Sequence, residues 1–239
     1  SAETGCAVAA SPRDLADAAE IVVTMLADDQ SSEAVHFGPD GLFAGARARH
    51  FVEMGTMSPR HIAALVSGAP RGTTVIDAPV SGATQAARAA QLTIMVGSEE
   101  ADAEPLVPLF DAMGNHTIYL GKTGAGAVMK LAVNSMIHGI NQTLAEALTL
   151  AEAAGVAPAT AFDVIEASVA CAPMLKYRRP LYLDEAGHDV TFTVALARKD
   201  MELAAALAGD LGTAMPQGHV TLAQLKAAEA EGYAQRDMA

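Results

Sequence analysis

Lys130 and Asn134 stand four residues apart in Gly124-Ala-Gly126-Ala-Val-Met-Lys130-Leu-Ala-Val-Asn134, where a glycine turn runs into a helical sequence. At that spacing both side chains leave one face of a helix and can converge on a single small molecule. The neighbours Val128, Met129, Leu131, Ala132 and Val133 are apolar. A lysine partly desolvated by such a setting has its pKa drawn down toward the range useful for proton transfer. Lys130 therefore suits a general acid or base, and Asn134 a neutral hydrogen-bonding partner for the bound molecule. Taken alone, a lysine at a helix start more often faces solvent. Two further places could bind. Ser81-Gly82 follows an apolar run that ends at Asp77, and a hydroxyl with exposed backbone N–H groups just past a strand suits a carboxylate. The same dipeptide also reads as an ordinary turn. Lys199 beside Asp200 lies on a helical stretch, where a solvated Arg198-Lys199-Asp200 cluster is the plainer reading.

The elements that must position these groups fall into two kinds. Up to Gly121 short apolar runs alternate with helical patterns. Cys6–Ala9, Ile21–Leu26, His50–Met54, Thr73–Asp77, Leu92–Val96 and Thr117–Leu120 read as strands. Ser11-Pro12 and Ser58-Pro59 read as capped helix starts, Gln30–Phe37 as a helix closed by Gly38-Pro39, and Ala101–Met113 as another. Such alternation predicts a mostly parallel sheet covered on both faces. From Ala125 to Ala154 no proline interrupts a run of helix formers. One long helix is expected there, followed by helices from Pro158, over Leu196–Leu211 and over Thr221–Glu231. The domains are placed at residues 1–121, α/β, and 122–239, all helical.

Composition narrows the function classes. The chain has 239 residues, 51% of them hydrophobic, 4% aromatic, no tryptophan and a net charge of −13. Length and apolar content allow a sizeable core, and the charge disfavours nucleic acid or an anionic membrane as partner. No apolar run approaches the roughly 18 residues of a membrane helix. Cys6 and Cys171 lack metal-ligand spacing and read as reduced core thiols of a cytoplasmic protein, with no metal site.

Four segments in register carry a resemblance. They are Met54-Gly-Thr56-Met-Ser58-Pro59, Asp77-Ala-Pro79-Val-Ser81-Gly82, the Lys130/Asn134 helix, and Phe192-x-x-x-Leu196-x-x-Lys199-Asp200-x-x-Leu203. Together they resemble the β-hydroxyacid dehydrogenase family, which includes 3-hydroxyisobutyrate dehydrogenase and the succinic-semialdehyde and glyoxylate reductases. The resemblance covers essentially the whole chain. It implies a Rossmann-type α/β domain followed by an all-α domain, NAD or NADP as cofactor, a small carboxylate substrate, and a homo-dimer or homo-tetramer. It also implies roles: Lys130 as proton donor with Asn134 beside it, Ser81 and Gly82 at the substrate carboxylate, and Leu26, Ala27, Ser31 and Thr56 as cofactor contacts. Lys199, with Asp200, would reach the nicotinamide end of the cofactor or the substrate.

Departures from the family pattern are informative. Ala83, Ala86 and Ala90 stand where members carry glycine, and Val133 where many have a second asparagine. Val133-Asn134-Ser135 lacks the histidine of the related 6-phosphogluconate dehydrogenases. Lys130 weighs against an imine-reductase-like enzyme, in which this lysine is generally replaced. The opening G-x-G-x-x-G unit of such dehydrogenases is not in this sequence. Gly121, Gly124 and Gly126 do not replace it, and His116 rules out a Walker motif at Gly121-Lys122-Thr123. Against the family, Ser1 falls within the second βα unit, and the last residues resemble a segment that runs on. The 239 residues alone are therefore expected to expose apolar sheet surface and to bind a dinucleotide weakly. Either a hydride-transferring enzyme or a non-catalytic, dimer-forming remnant fits that expectation. NAD or NADP preference is normally read in a segment this sequence lacks.

Overall fold

The computed structural model describes residues 5–184 and 187–239, which pack as two units, Ser1–Lys130 and Leu131–Ala239. In chain order the first contains α1 (Pro12–Ala18), β1 (Ile21–Thr24), α2 (Asp29–Phe37), β2 (His50–Glu53), α3 (Pro59–Gly68) and β3 (Thr74–Asp77). Then come β4 (Val80–Ser81), α4 (Ala83–Arg88), β5 (Leu92–Val96), α5 (Val107–Met113) and β6 (Gly114–Tyr119). The helix starts are chemically marked. Ser11 accepts from the Asp14 amide at 3.1 Å and Ser58 from the His61 amide at 3.0 Å, satisfying donors that a helix terminus leaves open.

β1, β2 and β3 form a parallel ladder. Its period-two alternation sorts the core. Val22, Phe51 and Val75 are in register on one face and pack with Leu42, Ile62 and Leu65. Val52 and Ile76 face the other way, toward Ile94, Leu106 and Phe110. A second ladder joins β5 to β6 in parallel and to β4 in antiparallel. The two ladders meet where Gly97 N–H donates to Asp77 O at 2.7 Å and Met95 N–H to Pro79 O at 2.9 Å. The mostly parallel α/β arrangement read from the sequence is present, with β4 as the antiparallel exception.

Two expectations are corrected. Cys6–Ala9 is not a strand. Its residues are exposed and non-regular, because a strand needs a ladder and neither ladder of the described residues includes it. Nor are the cysteines core thiols: Cys6 lies exposed and Cys171 half-buried, its Sγ 3.5 Å from Ala172 O. β1 is an edge of its ladder among the described residues, and it leaves Val23 37% and Met25 66% exposed.

The long helix α6 (Ala125–Ala153) starts in the first unit, where Ala127 joins the core, and continues as the first helix of the second. There it is followed by α7 (Pro158–Ala167), α8 (Pro173–Leu183), α9 (Val194–Leu211) and α10 (Pro216–Ala228). Val194, Ala197, Met201, Ala204 and Ala208 form the buried stripe of α9 at helical period. Leu144, Phe162, Met174 and Leu175 make a second cluster across α6, α7 and α8. No helix among the described residues is long and apolar enough to cross a membrane.

A buried carboxylate closes the second unit. Asp237 is ion-paired with Arg178 and accepts from Thr191 N–H at 2.7 Å, Thr191 Oγ1–H at 2.9 Å and Phe192 N–H at 3.2 Å. This pins the segment leading into α9. Burial opposes the Asp237 charge, but the Thr191 and Phe192 donors and Arg178 outweigh it, and its carboxyl is held below the usual range. Its stabilising effect is therefore full above the unfolded carboxyl's pKa and lost as pH falls through the lower, folded value. Hydrogen exchange at the Thr191 amide should accelerate on that acidic side, with protection retained at neutral pH. Asp237→Ala, which strands Arg178, should lower unfolding stability by about 3 kcal/mol at neutral pH, measured by urea denaturation.

Candidate functional site

Because β1, β2 and β3 run parallel, their carboxyl ends share one edge, the place where α/β sheets present groups to ligands. The register there sets Thr24, Glu53 and Asp77 side by side, and all three are buried. The loops that follow carry the expected cofactor contacts. After β1, Leu26 is half-buried and Ala27 exposed; after β2, Thr56 is half-buried. These loops touch at Gly55, where a Cβ would stand 2.7 Å from Leu26 O and 2.6 Å from Met57 Cε. Only glycine allows so close an approach. Ser31 sits in the first turn of α2 within a capping box. Its amide donates to Asp28 Oδ1 at 2.8 Å and its hydroxyl to Asp28 O at 2.9 Å. The α2 and α3 starts are tied by Ser58 N–H and Oγ–H to Asp29, at 2.8 and 2.5 Å.

At the next strand end, Asp77 is 1% exposed. Its Oδ1 accepts from Gly124 N–H at 2.7 Å and its Oδ2 from Ala127 N–H at 2.8 Å. The carboxylate thus satisfies backbone donors at the start of α6 that have no partner within the helix. Burial pushes the Asp77 carboxyl up from its usual range, against the pull of these backbone donors. Gly124 takes φ +90° in the turn that feeds the helix. A Cβ on Gly126 would lie 2.4 Å from Met95 O and 2.9 Å from Asp77 O. Lys130, half-buried, lies three residues beyond Ala127, a little less than a full turn. Ser81, on β4, pairs with Thr93, and Gly82, exposed, has φ +138°. Ala83 and Ala90, two of the three alanines expected to stand at glycine positions, hold left-handed backbone at φ +56° and +53°.

In the second unit the structure brings three expected residues together. Asn134 Nδ2 donates to Asp200 Oδ2 at 2.5 Å, and Lys199 Nζ lies 3.0 Å from Asp200 Oδ1. Asn134 and Asp200 are buried, the latter 1% exposed, while the Lys199 side chain is 19% exposed. The Asp200 carboxylate is thus turned to Asn134 and Lys199. Thr193 caps α9 by accepting from the Leu196 amide at 3.2 Å, setting the register of Lys199 and Asp200. Among the described residues, no group of His, Cys, Asp and Glu is placed to hold a metal.

Sequence reading missed Glu53, and Asp77 entered only as the start of a motif. A signal existed: the runs Ile-Val-Val-Thr24, His-Phe-Val-Glu53 and Thr-Val-Ile-Asp77 each end on a polar residue. Only the parallel register makes those ends neighbours.

Two sequence profiles match this chain: residues 1–121 match the NAD binding domain of 6-phosphogluconate dehydrogenase. Residues 124–239 match the domain described as NAD-binding of NADP-dependent 3-hydroxyisobutyrate dehydrogenase. An NAD-dependent L-serine dehydrogenase of Pseudomonas aeruginosa is 32% identical over 241 residues, covering 98% of this chain and 81% of the relative. Glyoxylate/succinic semialdehyde reductase 1 of Arabidopsis thaliana is 28% identical, with 98% and 82% covered. Among solved structures, a 3-hydroxyisobutyrate dehydrogenase from Salmonella typhimurium superposes with a TM-score of 0.87 at 26% identity, with 99% of this chain and 83% of that one covered.

Asp77→Ala should remove about 2 kcal/mol of stability, since it leaves buried amides of α6 without acceptors. Ala83→Gly and Ala90→Gly should each add about 0.5–1 kcal/mol, the left-handed strain relieved less the extra freedom of an unfolded glycine. Urea midpoints at unchanged slope measure both effects.

Proposed function

The chain belongs to the β-hydroxyacid dehydrogenase family, and on that footing we propose that it interconverts a small β-hydroxyacid and its semialdehyde or oxoacid, with Lys130 moving the proton. It is an NAD(P)-dependent oxidoreductase by family. The observation that carries the proposal is the tie between Asp77 and the start of α6. One carboxylate fixes both the strand that leads to Ser81-Gly82 and the helix that presents Lys130.

NAD or NADP, when bound, supplies the hydride chemistry. Leu26, Ala27, Ser31 and Thr56 are the residues of the strand-end edge that would hold it, and the close approach at Gly55 fits a flat, narrow binding edge there. The chain's own groups do the rest. Ser81 Oγ and the Gly82 amide suit the substrate carboxylate. In the reducing direction the developing alkoxide takes a proton from the Lys130 Nζ ammonium. In the oxidising direction the neutral amine takes the hydroxyl proton back. With Nδ2 given to Asp200, Asn134 offers Oδ1 as an acceptor for a substrate hydroxyl. Asp200 holds Asn134 and Lys199 in place, and Lys199 is the member of that trio that reaches solvent.

The relatives' names, which include L-serine and glyoxylate/succinic semialdehyde activities, define a short panel. In the protein as it occurs naturally, succinic semialdehyde, glyoxylate, tartronate semialdehyde, 3-hydroxyisobutyrate and L-serine would be assayed with each dinucleotide. Lys130→Ala should cut turnover of the active pair by about 100-fold or more with dinucleotide affinity nearly unchanged, the size expected for loss of a general acid. Near-normal turnover in that variant would remove Lys130 from the mechanism.

A further inference from the structure

Glu53, the last residue of β2, is 1% exposed, although an ionised carboxylate is among the costliest groups to bury. Its hydrogen bonds come from three different segments. Oε2 accepts from Thr24 Oγ1 at 2.9 Å, at the end of β1, and from Ser32 Oγ at 2.8 Å, in α2. Oε1 accepts from Gly55 N–H at 3.0 Å, in the loop after β2. Ser32 is itself held, because His36 Nδ1 donates to the Ser32 carbonyl at 2.8 Å while the His36 ring packs edge-on against Phe43 and Phe51. Each segment so joined leads directly to an expected dinucleotide contact. Thr24 precedes Leu26 and Ala27, Ser32 follows Ser31, and Gly55 precedes Thr56. An apolar residue at the strand end would pack without the penalty of burial. What it would lack is two oxygens that accept from three directions at once.

We propose that Glu53 is the positioning residue of the dinucleotide-binding edge: one carboxylate latches β1, α2 and the loop after β2, and so sets the gap in which the cofactor lies. The inference rests on the reading of Leu26, Ala27, Ser31 and Thr56 as cofactor contacts. Glu53 touches neither substrate nor cofactor. It acts by holding those contacts in their bound arrangement beforehand, so that binding does not have to order them.

The test compares four variants of the naturally occurring protein. Glu53→Gln keeps an acceptor for Gly55 N–H, and its amide can donate to both hydroxyls, which rotate to accept. Glu53→Leu removes every arm of the latch; Thr24→Val and Ser32→Ala remove one each. NADH and NADPH dissociation constants, KM for each substrate, kcat at saturation and Tm would be measured. Glu53→Leu should weaken dinucleotide binding and raise its KM by about tenfold or more, while kcat at saturation and the hydroxyacid KM stay within about twofold. Glu53→Gln should bind within about threefold of wild type, and the single-arm variants should fall between. A folded Glu53→Leu protein with lowered Tm but unchanged dinucleotide affinity would show a merely structural residue and overturn the proposal. Equal weakening in Glu53→Gln would overturn it too, by making charge rather than acceptor geometry decisive. Should Glu53→Leu not fold, unchanged dinucleotide affinity in both single-arm variants overturns the proposal equally. A wild-type protein that binds neither dinucleotide overturns the functional reading and this inference with it, whereas binding that Glu53→Leu leaves intact overturns this inference alone.

Discussion

A helix that begins against a sheet must find partners for its first amides, and in this chain Asp77 supplies them. Its two carboxylate oxygens accept from Gly124 and Ala127 at the head of the 29-residue α6. Gly126 leaves no room for a side chain there, so the helix backbone lies directly on the strand ends. The same residue gives its carbonyl to Gly97, joining the first ladder to the second. Strand, loop and helix are thereby held at one point, and the groups on either side of it inherit their positions. Lys130 follows along the helix and Ser81 along the chain.

The same arrangement recurs in each place where the sequence points to function. A fully buried carboxylate holds, and a half-exposed neighbour is left to touch. Asp77 underlies Ser81 and Lys130; Glu53 underlies the loops of Leu26 and Thr56; Asp200 underlies Lys199, with the buried Asn134 as its second partner. This separation has a physical basis. A carboxylate shielded from water forms stronger hydrogen bonds and must have them all satisfied, so it defines geometry sharply. The half-exposed neighbours keep the approach from solvent that a small molecule needs.

The loop after Gly82 holds alanines in a backbone that glycine adopts without strain. Ala83 and Ala90 keep left-handed conformations where glycine would be unstrained. The surrounding ladder and the short helix α4 dictate the chain path more strongly than the local preference of two alanines opposes it.

Most elements were legible from residue order. Short apolar runs became β1, β2, β3 and β5; Ser-Pro pairs became helix starts; and the proline-free run became α6. Cys6–Ala9 shows the limit, since a strand's existence depends on a partner that no local pattern can supply. The chemical types in the candidate site were also legible: Lys130 and Asn134 by helical spacing, Ser81 and Gly82 by following a strand. The holding groups were not. Glu53 lies 29 residues from Thr24, and Asp77 lies 47 from Gly124. By itself, then, the sequence determined which residues could donate, accept or move a proton and which elements carry them, because those follow from side-chain type and period. The tertiary structure decided which buried carboxylate each of them leans on, because the parallel register, and not nearness along the chain, sets Thr24, Glu53 and Asp77 in one row.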